Sequence, residues 1–163
     1  MVREISAGGV VVRNMEGAWW TAVIERPAES PTTPNPSRRG VRKKPVLCLP
    51  KGLLDSGEKA LAAALREVRE ETGITALPIA KLADIKYVYV RSWGDGERVF
   101  KTVSFYLLRY ESGRIDNIVD EMRIEVARAK WISLEEAPKL LAYRGEKQIA
   151  RNALQYLETH AEP

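Results

Sequence analysis

Apolar and polar positions alternate with two different periods along the chain. Residues 5–13 (ISAGGVVVR) and 19–25 (WWTAVIE) are rich in β-branched and aromatic side chains, and a turn containing Gly17 parts them. This pattern predicts a β-hairpin. Residues 45–49 (PVLCL) predict a short strand, after which Pro50, Gly52 and Gly57 mark a loop. The period then changes to 3.6, predicting a helix over 59–72 that Gly73 stops. Residues 87–91 and 99–109 predict two strands around a Gly94-Asp95-Gly96 turn. A last strand over 127–132 precedes helices over 134–143 and 146–158. The second of these carries an apolar stripe of Ile149, Ala153, Leu154 and Leu157. The order predicts an α/β fold, a central mixed sheet covered by helices.

Composition narrows the class. A chain of 163 residues with 45% apolar and 29% charged residues suits one globular domain spanning 1–163. No apolar run approaches the roughly 20 residues of a bilayer span, and residues 1–9 lack the apolar stretch of a signal peptide. One cysteine, Cys48, and one histidine, His160, exclude an internal disulfide framework, histidine-based triads and multi-histidine zinc sites. The expectation is a cytoplasmic protein of a reducing compartment, without a membrane partner. A homodimer is compatible with this reading.

The net charge of +4 has a local source. Arg38, Arg39, Arg42, Lys43 and Lys44 lie within seven positions, and removing them leaves 21 basic against 22 acidic residues. The near-neutral remainder disfavours a broad nucleic-acid face. These five cations sit in a Pro-rich stretch, 27–44, that reads as an exposed loop fit to capture a small polyanion.

The helix of 59–72 carries the chemistry. At about 100° per residue, Glu67, Glu70 and Glu71 share an arc of about 100°. Leu61, Ala64, Leu65, Val68 and Thr72 form another face that must pack on the sheet, while Ala60 and Ala63 leave space beside the carboxylates. A solvated charged face with an Arg66–Glu70 pair, worth about 0.2–0.5 kcal/mol, is the ordinary explanation of such a pattern. However, three carboxylates within one turn repel one another, and no lysine at helical spacing neutralises them all. A hard divalent cation would.

These residues lie in a longer pattern. Gly52, Glu58, Arg66, Glu67, Val68, Glu70, Glu71, Gly73 and Ile74 occupy every fixed position of G-x5-E-x7-R-E-U-x-E-E-x-G-U, the Nudix box. SAGGVVVR in the first strand, LPKG before the box and WISLEEA after the last strand extend the likeness over nearly the whole chain. The chain therefore resembles the MutT-like Nudix hydrolases. The resemblance implies their α/β/α sandwich and metal-dependent hydrolysis of a diphosphate linked to another moiety. It implies that Glu67, Glu70 and Glu71 bind metal, joined by the Gly52 carbonyl and, as an outer or additional ligand, Glu58. Arg66 would orient the glutamates. Glu125, six residues before Trp131, matches a further glutamate that several members place near the metals, as ligand or base.

Charge repulsion makes a polyphosphate a poor electrophile, and Mg2+, with Mn2+ as the alternative, would relieve it. With no internal histidine, the proton acceptor is a glutamate or a metal-bound hydroxide. Lys51 is placed to reach the phosphates, and one of Tyr87, Tyr89, Phe105 and Tyr106 to stack on a base, Tyr106 foremost. The run ERP followed by LPKG resembles the branch acting on diadenosine polyphosphates, although Leu47 stands where that branch often has tryptophan. Dinucleoside polyphosphates or nucleoside triphosphates are the expected substrates. A diphosphoinositol polyphosphate is the closest alternative, and a non-catalytic nucleotide-binding regulator is the alternative of another class.

Overall fold

The computed structural model describes residues 2–27, 45–90 and 96–160. The basic stretch with Arg38, Arg39, Arg42, Lys43 and Lys44 lies outside them, as do Gly94 and Asp95 of the expected turn. Seven strands form one mixed sheet: β1 (Val2–Met15), β2 (Ala18–Arg26), β3 (Val46–Cys48), β4 (Lys51–Leu53), β5 (Ile74–Val90), β6 (Arg98–Gly113) and β7 (Arg128–Ser133). The helices are α1 (Ala60–Thr72), α2 (Ala137–Leu140) and α3 (Arg144–Thr159), and none of the described helices is long and apolar enough to cross a membrane.

The central path runs β3-β2-β1-β6-β5, with β4 paired to β1 and β7 to β2. The expected first hairpin is β1 and β2, antiparallel, with Val12 opposite Thr21. β1 and β6 are parallel, and β5 and β6 form the second expected hairpin. Alternation along β1 decides the layers. Val10 and Val12 pack with Phe105, Leu107, Ile149, Ala150 and Ala153 on the α3 face. Val11 packs with Val68, Ile74 and Leu108 on the α1 face. The result is the α/β/α sandwich.

Two elements exceed the sequence pattern. β5 begins at Ile74, thirteen residues before the predicted strand. Register shifts at Thr75/Ala76, Pro78/Ala80 and Lys81/Ala83 break its alternation, and Pro78 is tolerated because β5 is the outermost strand. β4 also falls where Pro50, Gly52 and Gly57 suggested only a loop. Pairing of Ala7 with Gly52 and Gly8 with Lys51 makes it a strand, a tertiary effect with no local signal. That pairing brings Lys51 and Gly52 beside α1.

Candidate active site

Helix α1 ends as its sequence requires: Gly73 takes a left-handed conformation, φ 84°, and its N–H donates to the Arg69 carbonyl at 2.9 Å. The face buried against the sheet contains Ala63, Ala64, Val68, Glu71 and Thr72. Glu71 therefore does not share an open acidic face with Glu67 and Glu70. It is 1% exposed, and it is held in the interior by two donors. Arg26, from the end of β2, donates to its Oε2 at 3.0 Å. The Lys51 main-chain N–H donates to its Oε1 at 2.8 Å. Burial pushes the Glu71 carboxyl up to about 7, with Arg26 and the Lys51 N–H pulling the other way.

Arg66 organises the opposite edge. Its Nε and Nη2 form a fork on Glu58 at 2.8 and 2.9 Å. Nη1 donates to Glu67 at 2.8 Å and to Glu70 at 3.2 Å, and Nη2 also donates to the Leu53 carbonyl at 3.0 Å. The Arg66 hydrogen bonds, aided by the Asp55 N–H, hold the Glu58 carboxyl down at about 2. Burial raises the Glu67 carboxyl against the opposing pull of Arg66. No lysine at helical spacing neutralises these glutamates, as expected, but side chains of the protein do. The neutralising groups are two arginines, and Arg26 has no helical spacing to reveal it.

Gly52 faces Glu67 closely enough that a Cβ built on it would fall on the Glu67 carboxylate. Glycine is required here for close approach of backbone and carboxylate. Glu125 ends the 3-10 turn Asp120–Ile124 and is near enough for its charge to act on both Glu67 and Arg26. Among the described residues, no three acidic, cysteine or histidine side chains are grouped as metal ligands in the present arrangement. In donor type the set fits a hard divalent cation: carboxylates of Glu67, Glu70 and Glu71 next to the Gly52 backbone.

Two residues beside the box were not among the candidates, Arg26 and Glu146. Tyr106 packs on the α1 face, with the groups around Val68 and around Ala63. Lys51 donates its Nζ to Glu146 at 2.5 Å. Glu146 is a buried residue of α3 that also accepts the Leu49 N–H at 2.6 Å. Its signal was a single charge preceding the apolar stripe of α3, which periodicity alone assigns to solvent. Arg26 is the middle residue of the run ERP, whose likeness to a family branch assigned the arginine no role. Beside this pair lies a cavity of about 460 Å3 lined by Arg26, Lys51, Tyr87, Phe105, Tyr143 and Glu146, among others. Cys48 is buried, and burial raises its thiol, so it is not an activated nucleophile.

The family profile described as NUDIX domain matches residues 3–153. The chain belongs to the NUDIX family. A Mycobacterium tuberculosis protein named as a mutator protein, MutT4, is 38% identical over 152 residues, covering 93% of this chain. This chain spans only 55% of the length of that relative. The asymmetrical bis(5'-nucleosyl)-tetraphosphatase of Mus musculus is 30% identical over 112 residues, 66% of this chain and 69% of the relative. Among solved structures, a C. elegans Ap4A hydrolase binary complex superposes with a TM-score of 0.68 at 22% identity, covering 96% of this chain and 99% of its own. At that identity the likeness shows the fold, the Nudix sandwich, with α1 as the helix of the box.

Proposed function

We propose that this Nudix domain is a metal-dependent pyrophosphohydrolase of nucleoside polyphosphates, with dinucleoside polyphosphates foremost. One observation carries the reading. Lys51 belongs to two sites at once, because its N–H is bound by Glu71 of the box and its Nζ by Glu146 of the cavity. A ligand whose phosphates lie on the box has its organic moiety directed toward Tyr87, Phe105 and Tyr143. Aromatic walls suit a nucleobase, and they offer nothing comparable to the hydroxyls and phosphates of an inositol polyphosphate. The named relatives, a mutator protein and a tetraphosphatase of dinucleosides, support the same class. Retention of every fixed position of the box favours catalysis over a purely regulatory role.

Glu67, Glu70, Glu71 and the Gly52 carbonyl are the groups that would hold a divalent cation, which supplies charge neutralisation and an acidified water when bound. Arg66 keeps Glu58, Glu67 and Glu70 fixed at one edge, limiting the reorganisation needed for binding. Arg26 adds positive charge beside the phosphates, while the Lys51 ammonium is turned to Glu146 in the cavity. Glu125, exposed at the margin and within the field of Glu67, would serve as a further ligand or as the acceptor of the attacking water's proton. The five cations of the 27–44 stretch would extend the grip along a longer phosphate chain. The deciding experiment is a substrate panel with magnesium, covering nucleoside triphosphates, dinucleoside polyphosphates and diphosphoinositol polyphosphates, with products resolved by mass. Turnover of the inositol compounds alone, or of nothing, refutes the proposal.

A further inference from the structure

The cavity ends in a donor and an acceptor held side by side. Glu146, 3% exposed, lies in the first turn of α3 and lines the cavity. One of its oxygens accepts the Leu49 N–H and the other the Lys51 Nζ. A carboxylate oxygen has a second lone pair, and an ammonium has three protons, so both groups keep capacity for a ligand. Tyr87 and Tyr143 line the same cavity and remain 41% and 49% exposed, leaving ring surface open for stacking. The Lys51 ammonium sits 5.3 Å from the Tyr143 ring centroid, so the polar pair and the aromatic wall are adjacent.

We propose that the Lys51–Glu146 pair reads the edge of the nucleobase and makes the site selective for guanine nucleotides. This rests on the nucleotide reading above and deepens it. Guanine presents its O6 acceptor beside two donors, N1–H and the N2 amino group. Lys51 matches the acceptor, and the carboxylate of Glu146 matches the two donors as a fork. Hypoxanthine keeps O6 and N1–H but lacks the amino donor. Adenine reverses the polarity, setting an amino group against the ammonium and the N1 lone pair against the carboxylate. Each such mismatch sets a polar group of the base against one of like polarity at the pair, so discrimination by hydrogen bonding is steep. Glu146 is thus a specificity-determining residue.

The test uses the whole chain, first in chelator, where binding is separated from turnover. Calorimetric titration with GMP, IMP and AMP should give an affinity for GMP at least tenfold above that for AMP, with IMP between them. Glu146→Gln replaces one acceptor oxygen with a donor and should bring GMP within about threefold of AMP. Equal binding of GMP and AMP by wild type, or no binding of any of the three, overturns the inference. So does a uniform loss in Glu146→Gln, which would make Glu146 a clamp on Leu49 and Lys51 only. If Glu146→Gln does not fold, by circular dichroism, the wild-type affinity ratios decide. A second arm measures kcat/KM for GTP, ITP and ATP with magnesium. Equal values there leave the pyrophosphohydrolase reading standing and refute guanine selectivity. Turnover of none of the three, nor of any dinucleoside polyphosphate, refutes the pyrophosphohydrolase reading, while the binding ratios still judge selectivity.

Discussion

Arg26 donates to Oε2 of Glu71 at 3.0 Å across 45 positions of sequence, joining the end of β2 to the buried face of α1. The pair puts a cation where the box would otherwise hold an uncompensated buried carboxylate. It also divides the three glutamates by environment: Glu71 is interior, while Glu70 lies at the exposed edge beside Arg66.

That division lets Glu70 be tested with little risk to the fold. Glu70→Gln keeps the shape and removes a charge from a largely exposed side chain. Its circular dichroism and melting temperature should match wild type, while kcat with magnesium falls by at least tenfold, about 1.4 kcal/mol of barrier. Activity within tenfold of wild type would remove Glu70 from the metal set.

Gly52→Ala separates position from charge. The new methyl falls on the Glu67 carboxylate, the movable end of a flexible side chain. The fold should therefore survive with melting within about 2–4 °C, the shift that roughly 1 kcal/mol makes in a domain of this size. The magnesium needed for half-maximal rate should rise several-fold as Glu67 is displaced from the Gly52 backbone. Unchanged metal dependence would show that this close approach is only packing.

The pH dependence of stability reports on Glu71. Its carboxyl titrates at about 7 in the fold, against 4.5 for an ordinary glutamate. Between those values the folded state binds a proton that the unfolded chain has lost. Stability without metal therefore falls as pH rises from about 4.5 to about 7. Glu71→Gln should flatten the dependence in that window, as read from melting curves in EDTA at several pH values. Magnesium competes with the same proton, so its affinity for wild type should strengthen toward pH 7. A wild type that gains stability over this window relative to the variant would contradict the burial argument.

The basic stretch is tested by charge removal. Replacing Arg38, Arg39, Arg42, Lys43 and Lys44 with Ser should raise KM several-fold, most for the longest phosphate chains. It should also flatten the salt dependence of kcat/KM, because exposed charges act through screened fields. KM and salt slope both unchanged would mean that these cations are merely solvated.

The sequence by itself determined the parts governed by local chemistry. Alternating runs marked β1, β2, β6 and β7, the change of period marked α1 and α3, and Gly73 ended α1 because only a left-handed residue continues the chain there. The box spacing fixed Glu58, Arg66, Glu67 and Glu70 as one cluster, since a helix and its preceding loop bring them together without help from elsewhere. Tertiary structure decided whatever depends on approach between distant segments. β4 exists because β1 pairs with it, and β5 runs long despite Pro78 because it is an outer strand. Glu71 is interior because the sheet covers its face of α1, and Arg26 and Glu146 enter the site from 45 and 95 positions away from their partners Glu71 and Lys51. A lone charge on a strand end or a helix looks the same in sequence whether it meets water or a buried counter-charge. Only packing distinguishes them, because burial is what turns an ion pair from a screened surface contact into a fixed element of a site.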